Sequence, residues 1–224
     1  MNRFVRFELR TSAPDAARAF YDTILEEPCV DVSPQPEAAR ARGAPPQWLG
    51  HLGVADVAAT LAAFVARGAT LLGPPPSGPA ARAVVRDPGG VIVALTPLAE
   101  PSRGDVIWHQ LVTPDLPTAQ ANYAALFGWS IEDSMDLGGF GALRRFGWSR
   151  GAPVGAMAAL EGRAGVHPQW LFFFRATRLD EAMERTRAAG GHVLEPVRLP
   201  SGARYVACDD PQGGAFGLME PPPT

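Results

Sequence analysis

Hydrophobic and polar residues alternate with a period of two in short segments of the second part of the chain, and helical spacing separates these segments. The pattern first predicts one strand, one helix ended by a glycine, and three strands, at 106–113, 116–127, 129–135, 140–148 and 154–160. The same order then returns at 170–176, 179–189, 192–195, 204–208 and 215–220. This part of the chain is therefore predicted to contain two βαβββ halves.

The first part of the chain follows a shorter version of the same order. It predicts a strand, a helix and one further segment, and then a complete half, at 4–11, 15–25, 29–32, 48–54, 57–67, 69–72, 82–85 and 91–96. A Pro- and Ala-rich segment at 34–46 is predicted to be a surface turn of helix that joins the two halves.

A repeated tetrapeptide shows that the chain consists of two copies of one unit. Pro-Gln-Trp-Leu occurs at 46–49 and again at 168–171, and an Asp-Pro turn begins at Asp87 and at Asp210. The offset between the copies is 102 at Tyr21 and Tyr123 (123 minus 21), but 122 at the tetrapeptide (168 minus 46). The 20 additional residues of the second copy correspond to about one β-hairpin. The first copy therefore lacks a hairpin.

A polar, Pro- and Gly-marked linker at 97–104 separates the copies and predicts two domains, at 1–98 and 105–221. The formal net charge of −3 and the pI of 5.8 argue against nucleic acid as a partner. The chain opens directly into a strand pattern and has no apolar stretch of the roughly 20 residues that a membrane helix needs. We expect no membrane partner and a cytoplasmic location.

Four features of the sequence together resemble a known superfamily. They are the paired βαβββ halves, the tyrosine in each copy's first helix, Leu-Phe-Gly-Trp at 126–129, and Asp-Pro-x-Gly before the last strand of each copy. These features resemble the vicinal oxygen chelate superfamily of glyoxalases, bleomycin-resistance proteins and dioxygenases. With its tetrapeptides, the tandem form is similar to a bacterial branch of glyoxalase-like proteins. The resemblance implies an α+β fold of two pseudo-symmetric domains with curled mixed sheets.

The resemblance also implies where a divalent metal would be held in an enzyme of this superfamily. The ligands would come from the first and the last strand of a half, on the concave face of the sheet. The corresponding positions here are Arg6, Leu49, Ala94, Trp108, Leu171 and Gly217. None of these residues offers the imidazole or carboxylate donor that such a metal takes. We therefore expect no cofactor, with a divalent metal as the alternative.

A group of polar residues in the first copy lies two positions beyond the expected ligands. Glu8 and His51 are predicted to point into the concave face, beside Arg6 and Arg10. Three interpretations remain open: a polar cluster in which an arginine holds Glu8, a binding site for an anionic ligand, or a metal site formed by Glu8 and His51.

The predicted concave face of the second copy is apolar and aromatic, with one amide. Its residues are Trp108, Gln110, Val112, Leu171, Phe173, Ala215 and Met219. Small-molecule sites are commonly built in this way, and Tyr205 and Phe140 could close the rim. The alternative is that these side chains simply fill the curled sheet.

The sequence assigns no catalytic residue. His109 alternates away from the predicted cavity, and the acidic neighbours of Cys208 argue against a reactive thiol. Our first hypothesis is metal-independent binding of a small, partly aromatic molecule in the second copy, as the resemblance to bleomycin-resistance proteins implies. The alternative hypothesis is a metal-dependent lyase, isomerase or dioxygenase. The expected assembly is a monomer or a homodimer.

Overall fold

The computed structural model describes residues 2–27, 31–78, 81–98, 105–136, 142–160 and 166–222. The first copy consists of β1 (Arg3–Thr11), α1 (Pro14–Ile24), β2 (Asp31–Pro34), α2 (Glu37–Ala41), β3 (Gln47–Val54), α3 (Val57–Val65), β4 (Thr70–Leu72), β5 (Ala83–Arg86) and β6 (Ile92–Pro97). The second copy consists of β7 (Val106–Thr113), α4 (Leu116–Phe127), β8 (Ser130–Asp136), β9 (Ala142–Gly147), β10 (Gly155–Ala159), β11 (Gln169–Arg175), α5 (Leu179–Ala188), β12 (His192–Val193), β13 (Val197–Arg198), β14 (Arg204–Asp209) and β15 (Ala215–Glu220).

Local sequence signals fix the ends of the longer helices. Asp115 precedes α4, and its carboxylate accepts a hydrogen bond from the backbone N–H of Thr118 at 3.1 Å. The helix ends at Gly128, whose φ of 72° is a left-handed conformation that glycine adopts without a steric penalty. Asp56 caps α3 in the same way, by accepting from the N–H of Ala59 at 2.9 Å.

The strands form two mixed sheets, as predicted for an α+β protein of this kind. The first sheet has the order β2-β1-β3-β6-β5-β4. The second has nine strands in the order β12-β14-β15-β11-β7-β10-β9-β8, with β13 paired to β14. The strand β13 was missed by the sequence analysis, because two residues bracketed by prolines are too short to show a period.

The first copy lacks a hairpin, as predicted, and the strand pairing identifies which one. β2 pairs with β1 in parallel, with Leu9 opposite Val32. β10 pairs with β7 in the same way, with Leu111 opposite Met157. β2 therefore corresponds to β10, and the chain has only residues 25–30 between α1 and β2, where the second copy has the hairpin β8–β9.

The chain divides into two compact units that do not coincide with the two sheets. Unit one comprises Met1–Arg6, Leu49–Ser102 and His109–Trp170, and unit two comprises Phe7–Trp48, Arg103–Trp108 and Leu171–Thr224. Each unit thus combines one half of the first copy with one half of the second. The domain ranges 1–98 and 105–221 stay a prediction, because the strands of each sheet come from one copy whereas each compact unit draws on both.

In unit two, a buried tyrosine joins three distant segments. The Tyr21 hydroxyl donates to Asp210 Oδ2 at 3.1 Å and accepts from Trp48 Nε1 at 3.2 Å. Asp210 Oδ1 in turn accepts from the backbone N–H of Gly214 at 2.8 Å, within the Asp-Pro turn. The first helix, the first Pro-Gln-Trp-Leu and the second Asp-Pro turn therefore meet at one side chain.

Unit one contains the same arrangement, made from the other member of each repeated pair. The Tyr123 hydroxyl donates to Asp87 Oδ2 at 3.2 Å and accepts from Trp170 Nε1 at 3.2 Å. Asp87 Oδ1 accepts from the N–H of Val91 at 2.8 Å. The repeated tetrapeptide therefore supplies one tryptophan to each unit. We call these two arrangements the Trp–Tyr–Asp triads.

Burial controls the ionisation of both triads. It raises the pKa of Tyr21 and Tyr123 well above the usual value, and the neighbouring aspartate adds to the rise. Both tyrosines therefore keep the proton that they donate. Burial also raises the pKa of Asp87 and Asp210, although hydrogen bonds to the carboxylates oppose the rise.

Within the described residues, no helix is long and apolar enough to cross a membrane.

Replacing either triad tyrosine with phenylalanine is expected to destabilise the protein. Tyr21→Phe and Tyr123→Phe each remove the hydroxyl that bonds to one carboxylate oxygen, Oδ2, and to an indole N–H, which costs about 1–3 kcal/mol of unfolding free energy. Chemical denaturation measures this cost. Thr23→Val is the control, because it removes a hydroxyl that donates to Ala19 O on an exposed helix face. Equal small effects in all three variants would contradict a structural role for the triads.

Candidate functional site

The second βαβββ half of the second copy (β11 to β15), which we call the fourth half, places four of the predicted ligand-binding residues on one face. Phe173 lies opposite Gly217 across β11 and β15, and Met219 lies opposite Tyr205 across β15 and β14. Residues that are paired or two apart share a sheet face, so Leu171 belongs to the same row as Phe173. The predicted grouping of Leu171, Phe173 and Met219 on one face therefore matches the strand register, and the register adds Tyr205 to this face.

Phe173 fills the space over the last strand. The Phe173 ring is completely buried, and its centroid lies 5.3 Å from that of Tyr205 in an edge-to-face contact. A Cβ atom added at Gly217 would lie 2.1 Å from Phe173 Cδ1. The phenyl ring therefore takes the place that a side chain at position 217 would occupy.

This packing bears directly on whether a metal fits the superfamily's ligand positions. In the fourth half, the last-strand position has no donor atom and the ring of Phe173 covers it. In the second half of the first copy (β3 to β6), Ala94 lies opposite His51 and likewise offers no donor. No group of three or more His, Cys, Asp or Glu side chains suited to a metal occurs among the described residues. The residues present at these positions do not fit a bound metal ion.

Glu8 belongs to unit two and lies in a polar cluster. Its carboxylate accepts a hydrogen bond from the Ser33 hydroxyl, and Arg10 Nε lies 3.6 Å from Glu8 Oε1. Glu8 is only 8% exposed, so the ion pair is partly shielded from water. An arginine does hold Glu8, as the first of the three interpretations expected. The other two candidates, Arg6 and the buried His51, belong to unit one.

In unit one, Gln110 lies in a row of residues that the sequence analysis did not identify. Gln110 is opposite Ala156 of β10, and Ala156 is opposite Arg145 of β9. A second row parallel to this one contains Val112, Ala158 and Leu143. Arg145 was missed because the Arg-Arg pair at 144–145 does not show which arginine shares the face of Gln110.

Two predicted site residues of the second copy remain, Trp108 and Phe140. Trp108 is half-buried, belongs to unit two and lies two residues before Gln110 in β7. Phe140 lies outside the described residues.

His109 faces away from the Gln110 row, into the aromatic core of unit one. Its ring stacks on Phe4 at a centroid distance of 5.3 Å and contacts Trp148 edge to face, and Nδ1 lies 2.9 Å from Val154 O. Burial lowers the pKa of His109 to about 4. His109 is therefore a neutral core residue at physiological pH, in agreement with its predicted orientation.

Cys208 lies on the helix-facing side of β14 and is buried. Burial raises the pKa of the thiol to about 12, and the charge of Asp209 adds to the rise. The thiol is thus protonated and poorly nucleophilic, as predicted.

Comparison with known proteins agrees with this fold. The family model for the Glyoxalase/Bleomycin resistance protein/Dioxygenase superfamily matches residues 106–218. The chain belongs to this superfamily.

Among its relatives, the protein named "Putative glyoxylase CFP32" of Mycobacterium tuberculosis is 30% identical over 213 residues, which cover 90% of this chain and 79% of that protein. "Anthracycline biosynthesis protein DauV" of Streptomyces sp. strain C5 is 32% identical over 118 residues, which cover 52% of this chain and 42% of that protein.

Among solved structures, the 2,3-dioxygenase LapB from Pseudomonas sp. KL28 has a similar fold. The superposition has a TM-score of 0.67 and covers 99% of this chain and 92% of that chain, at 12% identity. At this identity the likeness concerns the fold alone.

The packing of Phe173 on Gly217 predicts a measurable coupling between the two positions. Gly217→Ala places a methyl group in the phenyl ring and is expected to cost about 1–3 kcal/mol by overpacking. Phe173→Ala is expected to cost about 3–5 kcal/mol by leaving a cavity. The double variant should cost less than the two single changes together, because the added methyl group then has space. Additive costs in a denaturation cycle would show that the two residues do not share this space.

Acidification is expected to destabilise the protein partly through His109. The folded-state pKa of about 4 lies below the usual value of 6.5, so the unfolded state binds more protons between these two values. The contribution is fully present above pH 6.5 and is lost as the pH falls towards 4, with a total of roughly 3 kcal/mol. His109→Gln should flatten the pH dependence of the unfolding free energy in this window. Carboxylates titrate in both proteins, so the difference between the wild-type curve and the variant curve isolates the contribution of His109. Parallel curves would contradict the assignment.

Proposed function

We propose that this protein binds a small, partly aromatic molecule on the concave face of the second copy's sheet without the help of a metal ion. The observation that carries the proposal is the burial of Phe173 over Gly217. A superfamily enzyme would need a carboxylate at this strand position, and the space for one is taken by a hydrocarbon ring.

The chemistry of the face supports binding. Apolar walls with a few polar groups are the usual composition of small-molecule sites, because the apolar area supplies affinity and the polar groups fix orientation. The face of unit one combines Val112 and Leu143 with the Gln110 amide. In unit two, Trp108 is half-buried and offers an aromatic surface on which a planar ligand can stack.

One of the two named relatives favours the same ligand class. One relative bears a name that refers to anthracycline biosynthesis, and the alignment covers about half of this chain. Anthracyclines contain fused aromatic rings, so we take polycyclic aromatic natural products as the first ligands to test.

A metal-dependent enzyme is the second candidate. The fold likeness to a 2,3-dioxygenase over 99% of this chain favours it. The donors that the sequence suggested for it, Glu8 and His51, are both buried, but they belong to different compact units. Arg10 and Ser33 already engage Glu8, which weakens this candidate relative to metal-independent binding.

Ligand titration and metal analysis together test the proposal. Anthraquinones, flavonoids and other polycyclic aromatics are titrated while the fluorescence of the five tryptophans is recorded. We expect a saturable change for some of these compounds, and Trp108→Leu should weaken it. Elemental analysis after growth with Ni, Zn, Fe and Mn should find no stoichiometric metal. No response from any compound, or one retained equivalent of metal that is lost in Glu8→Gln, would reject the proposal in favour of the enzyme.

A further inference from the structure

Four strands of the fourth half bring charged residues to one edge of its sheet. β11 and β15 are parallel, so both end at this edge, with Arg175 and Glu220 as their last residues. β14 is antiparallel to β15 and therefore begins there, at Arg204. β13 is antiparallel to β14 and ends there, at Arg198. Three arginines from three strands thus lie with one glutamate at the same edge.

These four residues line a cavity of about 460 Å³, which we call the strand-end cavity. Pro221 and Pro222 form an apolar part of its wall. Its volume lies within the range of about 300–1,000 Å³ that is usual for small-molecule sites. All of its lining residues belong to unit two, and they include neither Phe173 nor Met219 of the concave face. The strand-end cavity is therefore a candidate site separate from the one proposed above.

The strand register places two of the arginines directly opposite each other. Arg198 of β13 pairs with Arg204 of β14. Residues paired in this way have their Cβ atoms about 5 Å apart, and like charges at such positions destabilise a sheet. An anion bound at this pair would offset the repulsion.

The protein's own carboxylates neutralise only one member of the pair. Arg204 Nη1 donates to Asp180 Oδ2 at 3.0 Å and to Glu220 Oε2 at 3.3 Å, and Nη2 donates to Asp180 Oδ1. The hydrogen bond from Arg204 lowers the pKa of Asp180, and the charges of Arg204 and Arg198 contribute further to this decrease. Arg204 is therefore held in place and has few N–H groups left for a ligand.

The available donors belong to Arg198 and Arg175. Arg198 is exposed, and no acceptor among the described residues bonds to its guanidinium. Arg175 pairs with Asp105 through Nε alone, and within the described part of the chain its two terminal nitrogens have no acceptor. Three strand spacings separate the backbones of Arg198 and Arg175, which is about 14 Å. The two arginines therefore offer N–H groups from different sides of the cavity.

The acidic residues around the cavity limit the charge that a ligand can carry. The three arginines are matched by three carboxylates, those of Asp105, Asp180 and Glu220, so the formal charges balance. Such surroundings do not attract a polyanion from a distance, and binding depends on direct hydrogen bonds. A carboxylate suits this site, because it has a single negative charge and two oxygens that match the two parallel N–H groups of a guanidinium.

We propose that the strand-end cavity binds a small apolar monocarboxylate, with the carboxylate on Arg198 and the apolar body against Pro221 and Pro222. The terminal N–H groups of Arg175, across the cavity, can donate to a neutral acceptor of the ligand. This inference goes beyond the proposed function, since it adds a second site with a different ligand class.

The experiment compares two non-aromatic probes of nearly equal shape. Cyclohexanecarboxylate and cyclohexanecarboxamide are titrated into the protein in a buffer without other oxyanions, and NMR follows both the ligand signals and the arginine side-chain N–H signals. Wild type should bind the carboxylate more tightly than the carboxamide. Arg198→Gln should weaken carboxylate binding by about 10-fold or more and leave carboxamide binding nearly unchanged, as expected for the loss of charge-assisted hydrogen bonds.

Arg187→Gln is the matched control. Arg187 is an exposed residue of α5 in unit two that does not line the cavity, so this variant loses the same charge and should bind both probes as wild type does. Arg198→Lys keeps the charge without the two parallel hydrogen bonds and should lie between wild type and Arg198→Gln.

Thermal unfolding without ligand separates binding from a structural role. Arg198→Gln should melt at the wild-type temperature or slightly above it, because the change removes a like-charge pair. A clear decrease in the melting temperature would show that Arg198 stabilises the fold, against the inference.

Three binding results would overturn the inference. They are equal binding of carboxylate and carboxamide, equal effects of the variants at 187 and 198, and tighter binding of cyclohexyl phosphate, which carries nearly two negative charges, than of the carboxylate. None of these results affects the proposed function, which is tested with aromatic compounds and with a variant of the concave face.

Discussion

The structure depends on a buried tyrosine hydroxyl that occurs once in each unit, as Tyr21 and as Tyr123, with equivalent hydrogen-bond partners. In each unit it accepts a hydrogen bond from a tryptophan of Pro-Gln-Trp-Leu and donates one to the aspartate of an Asp-Pro turn. A buried carboxylate is tolerated only when its oxygens are hydrogen-bonded. This requirement couples segments as distant in sequence as Tyr21 and Asp210, and it explains why each compact unit combines halves from both copies.

One face of the sheets packs against these triads and the aromatic core. The residues on the other face are not constrained by this packing, so their chemistry can differ between the halves. In the fourth half that face has become a closed hydrocarbon surface, with Phe173 packed over a glycine. In the first half of the second copy (β7 to β10), the same face has the Gln110 amide and the Arg145 guanidinium on either side of Ala156. The two halves have the same fold and different chemistry, which is how a shared scaffold supports unrelated activities.

Membership of the superfamily therefore identifies the scaffold more firmly than the reaction. Metal chemistry in such folds needs several donors that converge on one point of the concave face. In the first copy, Glu8 is held by Arg10 and Ser33, and in the second copy the last-strand position is a covered glycine. A face without such converging donors can still bind a ligand, since apolar area and a small number of polar contacts are sufficient.

The sequence by itself determined the order of the elements apart from β13, the bounds of α4 and the absence of one hairpin from the first copy. These features follow from local periodicity, from caps such as Asp115 and Gly128, and from the offset between the copies, none of which requires knowledge of distant contacts. The sequence also placed Leu171 and Phe173 on one face, because alternation along a strand is local. Only the tertiary structure decided that Phe173 covers Gly217, that Arg145 and not Arg144 shares the face of Gln110, and that the tryptophans of the tetrapeptides bond to the tyrosines. Strand register and side-chain packing set these contacts, and both depend on residues that are far apart in the chain and become neighbours only when it folds.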